Sequence, residues 1–251
     1  MHLGGGDIAI IASAAFTASA INAVGGGGSL LSFPALLLVG VPALVANISN
    51  TIGLVPGYAG ASIGYRHELR GQGVRIGWLS LAGGGGAVVG AFLLTRTSPA
   101  VFEALIPWFI LAACALLAAQ PAVARFTARS ERQGGIDRSA FGVAVLLTGV
   151  YAAFFAAGLG VMLLAVLAVF VRDRLQRLNA LKGVLSLVFN VVAAAYFIFF
   201  GTVAWSAVAV MLPASFVGGF AGVAVARRVP DTGLRLAVIA LGLAVSVRLL
   251  V

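Results

Sequence analysis

The chain has 251 residues, 61% of them hydrophobic and only 9% charged, where a soluble domain carries about 25% charged residues. That composition excludes a soluble globular protein, and the long continuous apolar runs exclude the alternating pattern of a membrane β-barrel. The net charge of +9 does not point to nucleic acid, because the arginines sit in short loops between apolar segments, where such charges fix topology in a bilayer.

In chain order, the first apolar segment is Ile8 to Val24. Ala18-Ser19-Ala20 mimics a signal-peptidase site, but only His2 and Asp7 precede it, so no cleaved signal is expected. Gly25-Gly26-Gly27-Gly28-Ser29 follows, a poor helix former because each Gly costs about 1 kcal/mol against Ala. Ser29 to Val41, with Pro34 inside, is a short apolar segment of 13 residues. After Val41-Pro42, Ala43 to Tyr65 is long enough to span and carries Asn47, Asn50 and Thr51 at its start. Pro56 and Gly57 are expected to kink it. A basic loop, Arg66 to Arg75, leads to spans at Ile76 to Thr95 and Ala100 to Ala119. Gln120 to Arg138, with Arg125, Arg129, Arg132 and Arg138, is the longest polar segment and reads as a linker.

The second half opens with Ser139 to Ala157, then Gly158-Leu159-Gly160, then an apolar segment of 11 residues, Val161 to Val171. Arg172, Asp173, Arg174 and Arg177 form a basic loop. Leu178 to Phe200 and Val203 to Ala226 are spans joined at Gly201-Thr202, and Leu234 to Val251 is the last.

Shifting the first half by 132 positions lays Gly26 on Gly158, Gly28 on Gly160, Asn47 on Asn179, and Gly86 and Gly90 on Gly218 and Gly222. Agreement at one offset points to an internal duplication. Each arginine-rich loop has an arginine-poor counterpart, so the halves are expected to lie in opposite orientations. The fold expected is therefore all-α and polytopic, with two inverted repeats. Each repeat has a Gly-interrupted, broken or re-entrant helix pair followed by three spans, eight to ten hydrophobic segments in all. The boundaries expected are 1–119 and 139–251 for the transmembrane repeats and 120–138 for a cytoplasmic linker, with both termini outside.

In such transporters, paired short, Gly-interrupted segments mark the substrate site near the midplane. The backbone N–H groups and positive helix ends that they expose suit an anion. Gly26, Gly27, Gly28 and Ser29 in one half, and Gly158 and Gly160 in the other, are the candidate backbone positions. Packing alone would also explain glycines, and that reading is preferred for Gly86, Gly90, Gly218, Gly219 and Gly222. Asn47, Asn50 and Thr51 share one helix face, as do Asn179, Lys182, Ser186 and Asn190. Polar side chains inside spans face the bundle interior or a cavity, so Asn47, Asn50, Thr51, Asn179, Lys182 and Asn190 complete the substrate-binding set. Helix-to-helix hydrogen bonding is the competing role, weightiest for Asn190. Lys182, the only lysine, can bind an anion or snorkel to the interface. Asn22 is a weaker candidate, Glu103 reads as an interfacial charge, and the aromatics read as lipid-facing or core packing.

No Asp or Glu falls mid-span, so no carboxylate proton relay is expected, and no P-loop occurs. One cysteine, Cys114, leaves no disulfide or Cys-based metal site. No cofactor and no enzyme activity are called for, since no acid–base or metal constellation is visible. The partners expected are a small anionic substrate and the lipid bilayer, with homo-oligomer formation left open.

The residues also resemble a known family. Gly25 to Pro34, Leu38-Val-Gly40-Val-Pro42 and the polar Asn47 to Thr51 stretch in the first half are similar to the sulfite exporter TauE/SafE family. So are Gly149 to Gly160, Asn179-Ala-Leu-Lys182, Asn190, Gly201 to Trp205 and Gly218 to Gly222 in the second. The resemblance implies a bacterial inner-membrane permease for sulfite, organosulfonates or related organic acids, operating as an exporter. An ion-coupled uptake carrier for small organic acids and a non-transporting membrane assembly or maturation subunit are the alternatives.

Overall fold

The computed structural model describes residues 3–129 and 138–226, together with Leu236, Ile239, Ala240, Gly242, Leu243, Ala244 and Ser246. Among these the regular structure is helical: α1 (Gly5–Val24), α2 (Ser29–Leu38), α3 (Ala43–Gly64), α4 (Gly73–Arg96), α5 (Pro99–Arg129), α6 (Arg138–Phe154), α7 (Leu159–Phe170), α8 (Leu175–Phe200) and α9 (Trp205–Ala226). By length and composition, α1, α4, α8, α9 and the 99–119 part of α5 can cross a bilayer. The described helices α2 and α7, of 10 and 12 residues, are too short.

The two breaks form where the sequence supplies glycine. Gly26 and Gly27 have φ of 96° and 88°, and Gly158 has 78°, a left-handed conformation that a side chain disfavours. The chain turns there, and α2 returns alongside α1. Gly28 lies so close to α1 that a Cβ on it would come within 1.9 Å of the Ala18 carbonyl oxygen. Ser19, the next residue of α1, touches Gly57 of α3. The start of α2 is therefore inside the bundle and not at its end.

Helix directions follow from the glycine contacts. Gly53, Gly57, Gly60 and Gly64 of α3 meet Met211, Ser215, Phe216 and Val223 of α9 in order, so these helices run parallel. Phe16 and Ala20 of α1 meet Gly218 and Gly222, which adds α1 to the same direction. On the other side Gly86 and Gly90 of α4 lie against Leu146 and Val150 of α6, again parallel. The Gly86, Gly90, Gly218, Gly219 and Gly222 positions are thus backbone-to-backbone contacts, as expected. The first helix of each half packs on the fourth helix of the other half.

The middle helices oppose one another. At the start of α8, the Gln72 side chain donates to the Arg177 carbonyl (3.3 Å), and Arg177 Nη2 donates to the Arg70 carbonyl (3.3 Å), just beyond the end of α3. At the other end, the Ala204 N–H donates to Ser49 Oγ (2.9 Å) and Gly201 approaches Ile48. Hence α8 runs antiparallel to α3. Ile239, Gly242 and Ser246 likewise lie against Cys114, Ile110 and Pro107, opposite in direction to α5.

One end of the bundle gathers the arginines. Loop 65–72, carrying Arg66 and Arg70, meets Arg172 to Arg177 there, and the start of α6 at Arg138 joins them through Trp78 on Phe141 (5.2 Å) and Phe141 stacked on Phe170 (4.9 Å). The opposite end holds the starts of α1, α3, α5 and α9 and, among the described arginines, Arg96 alone. One sequence expectation meets a different backbone. Helix α5 does not stop at Ala119 but runs on to Arg129, into the expected linker, and 130–137 lie outside the described residues. Helix α3 is continuous through Pro56.

Candidate functional site

The two breaks meet inside the molecule. A Cβ on Gly26 would come within 2.8 Å of the Gly160 backbone, and one on Gly160 within 2.8 Å of the Gly26 Cα. The positive ends of two short helices, α2 and α7, thus converge from opposite halves, with only glycine between them. Unshielded helix N-termini favour negative charge.

Around this junction the broken backbone is satisfied by side chains. Asn22 Oδ1 accepts from the Gly28 N–H (2.8 Å), and Asn22 Nδ2 donates to the Tyr58 hydroxyl (3.3 Å), which also hydrogen-bonds with Ser29. The Tyr65 hydroxyl donates to the Ala23 carbonyl near the end of α1 (3.2 Å). At the other break, Asn47 Nδ2 donates to the Phe154 carbonyl (3.0 Å), and the Tyr151 hydroxyl donates to the Ala157 carbonyl (2.5 Å). Without water to bond, each such group left bare costs about 1–3 kcal/mol.

Lys182 does not reach the interface. It is 2% exposed, its stem lies beside Gly160, and its Nζ donates to Asn179 Oδ1 (3.2 Å). A buried lysine amine therefore stands next to the place where the two helix ends converge. Asn50 is also buried, at 1% exposure, and its Oδ1 has no hydrogen-bond partner.

The structure thus brings Gly26, Gly160, Lys182 and Asn179 together, with Gly28 and Ser29 held by Asn22 and Tyr58. Gly27 and Gly158 shape the turns. Asn47 binds the end of α6. Thr51 Oγ1 donates to the Asn47 carbonyl (3.0 Å), and Asn190 Nδ2 to the Ser186 carbonyl (2.8 Å), each within its own helix. The tyrosines were not singled out from the sequence, although Tyr58 falls on Asn190 at the 132-residue offset. Glu103 is exposed, and among the described residues no cluster of three or more His, Cys, Asp or Glu could hold a metal.

A bundle of apolar helices with two broken segments meeting in a polar interior has the architecture of a multi-pass membrane transporter. The family model described as "Sulfite exporter TauE/SafE" matches residues 11–249. The chain belongs to that family. It is 27% identical over 227 residues to a "Probable membrane transporter protein" of Haemophilus influenzae, covering 88% of this chain and 86% of that protein. It is 25% identical over 250 residues to "Probable membrane transporter protein ORF9" of Sinorhizobium sp., covering 97% and 92%. No solved structure matches.

Proposed function

We propose that this membrane transporter is an inverted-repeat permease that exports a small anion of the sulfite or organosulfonate type across the bacterial inner membrane. The observation that carries the reading is the contact of Gly26 with Gly160, where the N-terminal ends of α2 and α7 converge beside the buried ammonium of Lys182. Two helix ends and one fixed cation of the same sign make a site for a compact anion and a poor one for a cation.

The two repeats are 1–119 and 139–251, joined through 120–138. The opposed directions of α3 and α8 support inversion, as does the exchange of first helices between halves. Alternating access is then a rocking of one repeat against the other around the convergent helix ends. The arginine-rich end faces the cytoplasm by the positive-inside rule. Export needs no chemical step and no nucleotide. An interior-negative potential drives a monovalent anion outward by about 2.3 kcal/mol per 100 mV.

Efflux from proteoliposomes loaded with sulfite or a short organosulfonate, under an imposed potential, tests the proposal. Saturable flux that grows with interior-negative potential is expected, with a drop of roughly tenfold or more in Lys182→Met, about the value of one charged hydrogen bond. Flux equal to that of empty liposomes for sulfite, sulfonates and carboxylates alike would overturn it.

A further inference from the structure

The two broken segments touch across the halves in two places, and the chemistry of the two contacts differs. Toward the arginine end, Gly26 meets the Gly160 backbone beside the stem of Lys182, which lies about two turns into α8. Toward the opposite end, the Phe33 ring of α2 meets the Phe155 ring edge-on, with centroids 5.7 Å apart and planes at 81°. In the chain, Gly28 and Ser29 at the start of α2 stand between these contacts.

Helix α5 fixes the height of the aromatic contact, because it starts at the arginine-poor end. Phe155 stacks on Phe109 (5.1 Å) and lies 6.3 Å from Phe102, in the first turn of α5. Phe154 joins the group through Phe102 (6.3 Å) and Phe109 (5.7 Å), and its carbonyl is held by Asn47, early in α3 from the same end. Phe33, Phe102 and Phe155 are buried. The repeat does not demand rings at these positions. At the 132-residue offset Phe33 falls on Ala165, Phe155 on Ala23 and Phe154 on Asn22. The equivalent positions toward the arginine end are thus small or polar, and the rings collect on one side only.

We propose that Phe33 and Phe155, backed by Phe109, are the gate on the arginine-poor side of the anion path. Their contact joins the broken segments of opposite halves, so rocking of one repeat against the other has to part it. While it is closed, a hydrated anion cannot pass a dry, ring-walled constriction without losing its water. The Gly26 contact with Gly160 closes the arginine side. Both contacts are made here, so the place between the helix ends is shut in both directions. The inference rests on the permease reading of the same site and names the side chains that control release from it.

The test places a single thiol between the two contacts, Ser29→Cys in the Cys114→Ala background. The full chain is held in sealed vesicles of either orientation. Reaction of the thiol with a small, membrane-impermeant methanethiosulfonate is followed from each side. With both rings present, reaction from the arginine-poor side is expected to be slow. Phe155→Ala should raise that rate roughly tenfold or more and leave the rate from the arginine side unchanged. Phe33→Leu keeps an apolar side chain but removes the ring edge, and should raise the same rate by a smaller factor. Phe141→Ala is the control: its ring is as deeply buried, but it stacks on Phe170 near the arginine end. Its loss should leave the rate from the arginine-poor side unchanged. A Phe155→Ala rate equal to the parent's overturns the gate. So does equal acceleration from both sides, the mark of a loosened core, or acceleration as large in Phe141→Ala. Should Phe155→Ala fail to fold, Phe33→Leu decides by the same two rates. The reaction needs no transported anion. An unchanged rate beside intact saturable efflux therefore overturns the gate alone, and one-sided acceleration without efflux overturns the permease reading alone.

Discussion

Neighbouring glycines in this chain do different work, and a single methyl separates them. Gly85 of α4 has nothing within 4 Å of where a Cβ would sit, whereas a Cβ on Gly86 would come within 2.0 Å of the Leu146 carbonyl oxygen. Gly85→Ala should therefore leave the melting temperature unchanged or raise it, since Ala is favoured over Gly in a helix by about 1 kcal/mol. Gly86→Ala forces α4 and α6 apart and should cost about 1–3 kcal/mol, the usual range for overpacking. Thermal unfolding of the two purified variants side by side checks this, and equal melting temperatures would refute the packing assignment. Asn22 belongs to the same scale. Both ends of its carboxamide are engaged, one holding the Gly28 N–H and one the Tyr58 hydroxyl. Asn22→Ala strands a buried backbone donor and should lose about 1–3 kcal/mol. Asn22→Ser, which keeps an acceptor, should recover part of that loss in the same melts.

Among elements, the breaks and the unbroken helices show what a sequence reading can reach. Four consecutive glycines occur twice. Gly25 to Gly28 break the chain, but Gly83 to Gly86 lie within a continuous α4 of 24 residues. Local propensity is the same in both runs. What differs is tertiary: Gly83 sits under the Phe189 ring and Gly86 against α6, and those contacts hold the helix together. Both runs have glycine counterparts at the 132-residue offset, and what made the true break legible is that only short apolar segments, of 13 and 11 residues, follow Gly25 to Gly28 and Gly158 to Gly160. Limits of hydropathy explain the other difference. Gln120 to Arg129 reads as polar linker, yet α5 continues through it, because leaving the membrane does not end a helix. The tyrosines escaped notice for a similar reason. Tyr58, Tyr65 and Tyr151 look like aromatic packing in sequence, and their hydroxyls gain meaning only when a broken segment presents bare backbone to them.

The elements are also clasped at the arginine end, and pH probes that clasp. Asp173 accepts from Arg177 Nε (2.9 Å) and the Arg174 N–H (2.9 Å), and lies 3.7 Å from Arg75 Nη1. Burial alone would push its carboxyl up. The hydrogen bonds from Arg177 and Arg174 and the charges of Arg177 and Arg75 outweigh that and hold it below the usual carboxylate range. A carboxyl lowered on folding contributes its stability above the unfolded-state value, and the contribution disappears as pH falls through the folded value. Wild type should thus exceed Asp173→Asn in stability at pH 6 and lose that margin below about pH 4. The arginines are a third exposed, so the margin is set at about 0.2–1 kcal/mol. Paired melts at the two pH values measure it, and a margin that widens on acidification would contradict the assignment.

At the scale of the whole molecule, charge and direction make one argument about orientation. Large apolar side chains such as Val74, Leu81 and Phe199 are 80–90% exposed, which suits contact with lipid and not water. The arginines collect at one end, around loop 65–72, the start of α6 and Arg172 to Arg177, while the end near Gly201-Thr202 is nearly free of them. In a bilayer this asymmetry sets which end stays in the cytoplasm. Since α3 and α8 run oppositely, the loop after α3 and the loop after α8 must lie on opposite sides, although the sequence offset makes them equivalents. The experiment is cysteine labelling in a Cys114→Ala background, which removes the one native thiol. His67→Cys and Thr202→Cys place single thiols in the two loops. A membrane-impermeant maleimide should label Thr202→Cys in intact cells and His67→Cys only in inside-out vesicles. Labelling of both from the same side would refute the opposed directions of α3 and α8, and a reversed pattern would keep the fold but turn the protein over, placing the arginine end outside.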